Sequence, residues 1–110
     1  MEIHENKSRF NITQYSESIL KMTQAYQLKN KGEYAKACQY CDECIQLFKR
    51  NDLSLNCLMM YNLIIAIYSN LNHIAKVNEY KYERLCFMEE KNIPTMMFAL
   101  PKEFTDFKHH

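Results

Sequence analysis

The chain has 110 residues, enough for one domain with a single core. It is 47% hydrophobic yet holds one Gly, two Pro and no Trp, too few turn formers for a many-stranded sandwich or barrel, so helices joined by short turns are expected. Its 14 Lys and Arg stand against 13 Asp and Glu, interspersed along the chain, which argues against the basic footprint of a nucleic-acid or anionic-membrane binder.

Residues 1–11 are polar and are expected to fray. From Ile12 onward the apolar residues Ile12, Tyr15, Ile19, Met22 and Tyr26 recur at spacings of three and four, with Leu20 and Leu28 widening the stripe, and this period predicts a first helix over 13–30. Asn30, Lys31 and Gly32 break it, because Gly enters the left-handed conformation without a Cβ clash. A second helix starts near Glu33 with Tyr34, Ala37, Cys38, Cys41, Ile45 and Phe48 as its inward stripe, and the short turn makes it antiparallel to the first.

Asn51 and Asp52 mark the next break, with Asp52 or Ser54 the expected N-cap of a third helix over 53–70. From Leu55 to Tyr68 that helix has almost no polar face, so it is expected to lie centrally, buried all round, or to face a partner. Asn70, Leu71 and Asn72 form a turn into a fourth helix over 73–91, with Ile74, Val77, Tyr80 and Leu85 inward and Met88 extending the stripe. Pro94 stops it. The segment 95–107 carries Met96, Met97, Phe98, Leu100, Phe104 and Phe107, too apolar for a solvated tail, and is a candidate docking element. The domain is thus expected to span 12–107, with 1–11 and 108–110 outside it.

The segment Ala25 to Asn51, AYQLKNKGEYAKACQYCDECIQLFKRN, resembles one tetratricopeptide repeat. Ala25 lies seven residues before Gly32 and Leu28 four before it, while Tyr34 lies two after and Ala37 five after. Cys41 and Cys44 fall where that family usually has an aromatic and an Ala, and Lys49 where it often has Pro. A second, more degenerate copy lies about forty residues on, with Asn72 in place of Gly32, Tyr61, Tyr68, Ile74 and Val77 at matching places, and Ile65, Lys81 and Arg84 departing from the pattern.

The resemblance implies an all-α fold of antiparallel helical hairpins, four main helices plus the apolar tail. It also implies a function, since the first helix of each pair lines a groove that receives a peptide. Carried over, the groove would present Met22, Tyr26 and Lys29 from the first helix and Asn62, Ala66 and Ser69 from the third. The relatives that clamp the carboxylate tails of heat-shock chaperones use Lys and Asn where this chain has Met22 and Tyr26, so a mixed apolar and polar peptide is the expected ligand. Two repeats leave an apolar face at each end of the stack, to be covered by the tail folding back or by a homodimer. The first two helices also resemble those of MIT-type trafficking domains, which bind amphipathic helices. The stretch from Gly32 to Met88 is similar in rhythm to the repeats of bacterial pheromone receptors, which makes a peptide-responsive regulator the alternative reading.

The longest apolar run, Leu63 to Tyr68, is far short of the roughly 20 residues that span a bilayer, and Met1 to Arg9 is too polar for a signal peptide. Five Cys without such a signal fit reduced thiols and an intracellular setting, cytoplasmic or nuclear. Cys38, Cys41 and Cys44 form a C-x2-C-x2-C run, a thiol or zinc sensor on one reading, with His73 or Cys57 as the fourth ligand. On one helix the three lie along the inward stripe, where Cys acts as a small hydrophobe, and that is the preferred reading. His4 and His73 have no neighbouring carboxylate or thiol to form a dyad, and His109 and His110 look like the start of a histidine tag. With a lone Gly there is no phosphate-cradling loop, and no cofactor or catalytic set is expected. The Met residues offer an adaptable surface, Met59 being expected in the core. The function expected is that of a protein- or peptide-binding adaptor rather than an enzyme.

Overall fold

The computed structural model describes residues 12–94 as four helices: α1 (Ile12–Asn30), α2 (Tyr34–Arg50), α3 (Ser54–Asn70) and α4 (Ile74–Glu90). The boundaries agree with the expected ones to within a residue or so, and the fold is all-α. Each helix packs on the next in antiparallel pairs, and α1 also touches α3. None of the helices among the described residues is long and apolar enough to cross a membrane.

One turn is used repeatedly. Gly32, Asp52, Asn72 and Asn92 all have positive φ, between 57° and 82°, and each stands twenty residues after the one before. At every one the left-handed residue donates its amide to a carbonyl three residues back, as Gly32 does to Lys29, and the following residue donates to one five back, as Glu33 does to Leu28. This is the Schellman pair of bonds, which satisfies carbonyls that a helix end would leave bare.

The residue after the left-handed one has a second task. Glu33, Leu53 and His73 each accept, through the backbone carbonyl, the amide four residues on, from Ala37, Cys57 and Val77. A single residue therefore closes one helix and opens the next. The expectation of Asp52 or Ser54 as N-cap is corrected: Leu53 holds that position, without a side-chain cap bond, and Asp52 is the left-handed residue before it. Asp and Asn serve there because their short polar side chains tolerate the conformation better than most residues with a Cβ do.

The core confirms the central place of α3. Cys57, Leu58, Met60, Tyr61, Leu63, Ile64, Ile65 and Ile67 are all buried, and a low contrast between faces is what a helix covered on most sides requires. Among α1, α2 and α3 the small residues Ala25, Ala37, Cys41, Cys44 and Cys57 are fully buried, together with Phe48 and Leu58. Between α3 and α4 the contacts are aromatic. Tyr68 stacks on Tyr80 with centroids 5.8 Å apart, and Tyr61 meets Phe87 at 6.1 Å. Polar links cross the same layers, the Tyr80 hydroxyl donating to Asp42 of α2 at 2.9 Å and the Lys49 ammonium standing 5.5 Å from the Tyr61 ring.

Several residues expected inside are outside, and the forty-residue register explains most of them. Leu20 is exposed where its equivalent Met60 is fully buried, because α3 has helices on both sides and α1 has a helix on one. Leu85 is likewise 41% exposed where its equivalent Ile45 is 2%, since α3 covers Ile45. Ile12, Tyr15 and Ile74, in the first turns of α1 and α4, are exposed as well. Lys81, equivalent to Cys41, is exposed, and Arg84, equivalent to Cys44, is half-buried, so these departures from the repeat pattern follow from their place on the last described helix.

The turn geometry makes a prediction. A Cβ at Gly32 meets no atom within 4 Å, so Gly32→Ala carries a backbone cost alone. We expect a loss of about 1–2 kcal/mol, the left-handed penalty of a residue with a Cβ, read as a lower urea midpoint with an unchanged slope.

Candidate functional site

Around the axis of α3 there is one stripe that no other helix among the described residues covers well. Leu55, Met59, Ala66 and Ser69 are exposed on it and Asn62 is half-buried, at the alternating spacings of four and three that keep residues on one face. Asn62, Ala66 and Ser69, the groove residues that the repeat resemblance implies for this helix, all lie on this stripe. Leu55 and Met59 are additions. Met59 was expected in the core and lies instead on this stripe, because the buried arc of α3 is already filled by Leu58, Met60 and Leu63.

On α1 the equivalent positions, forty residues earlier, are Tyr15, Ile19, Met22, Tyr26 and Lys29. Tyr15 is exposed and the other four are half-buried, Ile19, Met22 and Tyr26 resting on the core from outside. α1 and α3 meet beside these stripes where Met22 Sδ accepts from Asn56 Nδ2 at 3.9 Å, a weak thioether contact across the α1–α3 seam. Desolvation holds the Tyr26 hydroxyl above its ordinary pKa, so it acts as a neutral hydrogen-bonding group at the edge of an apolar strip. Asn62 is tied on its other side, its Oδ1 accepting from Arg84 Nη1 of α4 at 2.6 Å.

The face is therefore graded in chemistry. At the end where α1 and α3 begin it is apolar, with Tyr15, Ile19, Leu55 and Met59. At the other end it is small and polar, with Ala66, Ser69 and Lys29. The spacing of Asn62, Ala66 and Ser69 contained the signal for Leu55 and Met59, because the same stripe extended backwards reaches both. The candidate docking residues Met96, Met97, Phe98, Phe104 and Phe107 lie outside the described residues.

Cys38, Cys41 and Cys44 face the core rather than this surface. Burial pushes the Cys44 thiol up to about 11 and the Cys57 thiol to about 12, and raises Cys41 further still. Burial also raises Cys38, against a hydrogen bond to Tyr68 that acts the other way. Such thiols stay protonated at neutral pH, whereas a nucleophile or metal ligand acts as the thiolate. His73 stands apart from them at the head of α4, its ring edge-on to Tyr68 at 5.5 Å. Among the described residues no group of three or more His, Cys, Asp or Glu is placed to hold a metal ion.

No family model matches the chain, and no match is found among curated proteins or solved structures.

The thiols supply a prediction. Of the five cysteines Cys86 is the exposed one, so a thiol-specific reagent at pH 8 is expected to titrate one equivalent quickly and the other four at the rate of unfolding. Above the ordinary thiol pKa of 9.0 the unfolded chain sheds protons that folded Cys44 keeps up to about 11. Stability is therefore full below pH 9 and falls as pH rises through that window, to be read from urea midpoints taken across it.

Proposed function

We propose that the protein is a non-catalytic binding module, an adaptor whose ligand is a peptide or another protein held along the outward faces of α1 and α3. The observation that carries this is on α3. A helix otherwise covered on every side keeps one narrow strip open and places Leu55 and Met59 on it, 59% and 40% exposed. Apolar side chains gathered on a strip with small and polar neighbours mark an interaction surface more often than isolated ones do. Met59 and half-buried Met22 add thioether side chains that repack around different ligands.

This reading agrees with the tetratricopeptide-like layout of Ala25 to Asn51, in which the first helix of each pair receives the ligand. The graded face favours an extended or helical peptide with apolar residues at one end and hydrogen-bonding residues at the other. Lys29 adds one positive charge at the polar end, too little for a ligand recognised mainly by its negative charge. The strongly shifted groups, Cys41, Cys57, Tyr61 and Tyr80, are buried and held neutral, which suits packing rather than proton transfer.

The test is a selection of peptides from a random library on the full chain, followed by titration against Met59→Glu and Ala66→Glu. Both substitutions fall on exposed positions, so the thermal unfolding transition should hold. The selected peptides are expected to bind each variant at least about tenfold more weakly, some 1.4 kcal/mol. Undiminished binding to both variants would move the site elsewhere.

A further inference from the structure

Asn62 stands at the middle of the open stripe, with Leu55 and Met59 before it and Ala66 and Ser69 after it. The helix that carries it, α3, has no charged residue. Asn62 Oδ1 accepts from Arg84 Nη1 of α4 at 2.6 Å. Both members of this pair differ from their forty-residue equivalents, Met22 and Cys44, so a hydrogen-bonded couple stands where the first hairpin has two sulfur side chains.

The chemistry of arginine fixes which way the amide faces. A guanidinium donates hydrogen bonds and accepts none, so only the oxygen of an amide can meet it. The oxygen and nitrogen of a planar amide diverge from Cγ, and with Oδ1 held by Arg84 the Nδ2 is turned away from α4. That nitrogen has no partner among the described residues. Since no buried side-chain nitrogen or oxygen among them lacks a partner, Asn62 Nδ2 is reached by solvent.

An amide donor that the protein leaves unmet, and holds from turning, selects for an acceptor on the ligand. Its neighbours on the stripe are apolar or small, so the acceptor has to be a neutral group that can lie close to the helix. Main-chain carbonyls have that character. In a helical ligand they are taken by its own amides, whereas in an extended one they stay open.

On the reading of the α1 and α3 faces as the binding site, we propose that the ligand lies extended along α3 and that Asn62 Nδ2 donates to one of its main-chain carbonyls. Arg84 is a positioning residue, which keeps the amide in the donating orientation and needs no contact with the ligand. The ligand class is thus an extended peptide, with apolar side chains toward Leu55 and Met59 and an open carbonyl at the level of Asn62.

The test uses the full chain and peptides selected on it from a random library. Asn62→Asp keeps an oxygen for Arg84 and removes both N–H donors, so it is expected to hold the thermal transition and to bind the peptides about tenfold more weakly. Arg84→Glu offers an acceptor alone, which turns the amide round, and is expected to lose about as much. Arg84→Lys, again a donor alone, is expected to keep affinity within about twofold. Carbon shifts of the labelled peptide in the complex are expected to be those of an extended chain. Peptides weakened by Met59→Glu but held undiminished by Asn62→Asp, or bound with helical shifts, would overturn this assignment alone. Peptides held equally by Met59→Glu, Ala66→Glu and Asn62→Asp would overturn the binding face with it.

Discussion

The arrangement depends on covering α3. A helix with eight buried residues among seventeen, spread around most of its circumference, cannot lie on a surface, because each large apolar side chain left in water costs on the order of 1.5–3 kcal/mol. α1, α2 and α4 solve this by surrounding it: α2 on one side, α4 on the other, and α1 touching its flank across the Met22–Asn56 seam. The outer helices are correspondingly polar where they look outward. Glu17, Gln24 and Gln27 of α1 are exposed where the equivalents Cys57, Ile64 and Ile67 of α3 are buried, and Asn78 and Lys81 of α4 are exposed where Cys38 and Cys41 of α2 are buried.

Regular spacing makes the enclosure possible. With the left-handed residue recurring every twenty positions, α2, α3 and α4 are all seventeen residues long, and each turn consumes three. Equal lengths let consecutive helices align end to end, so the apolar stripe of one meets that of the next along its whole extent. Letting one residue finish a helix and begin another removes the slack of a longer loop. It also relieves the chain of side-chain caps, none of which is formed at Glu33, Leu53 or His73.

The four helices were legible in the sequence because their period and their breaks agree. Helical spacing ran from Ile12 to Tyr26 and from Tyr34 to Phe48, and Gly32 and Asn72 stood where it lapsed. The role of Asp52 was misread because Asp is a common N-cap and a less common left-handed residue, and the twenty-residue interval from Gly32 separates the two. The inward stripes were harder to read, for a reason of geometry. Apolar periodicity reports that a face exists, not that a neighbour reaches it, so Leu20, Leu85, Ile74 and Met59 look like core in sequence and are exposed in space. On the candidate face, Asn62, Ala66 and Ser69 came from the repeat resemblance and not from the local pattern of the helix. Leu55 and Met59 were hidden in it, because an apolar residue on an otherwise apolar helix carries no local mark of its side.

The two seams of α3 are packed by different means, and this bears on the candidate face. Toward α1 and α2 the buried set includes Ala25, Ala37, Cys41, Cys44 and Cys57, small side chains that allow close approach. Toward α4 the contacts use Tyr61, Tyr68, Tyr80 and Phe87, joined by an ammonium over the rings and by hydroxyl bonds to Asp42 and Glu83. The polar links across that seam are directional. The outward faces of α1 and α3 are both anchored on α2, the helix that packs closely against each. A ligand lying across α1 and α3 would meet a preformed surface and would not bear the cost of ordering it, the condition under which a small apolar strip binds usefully.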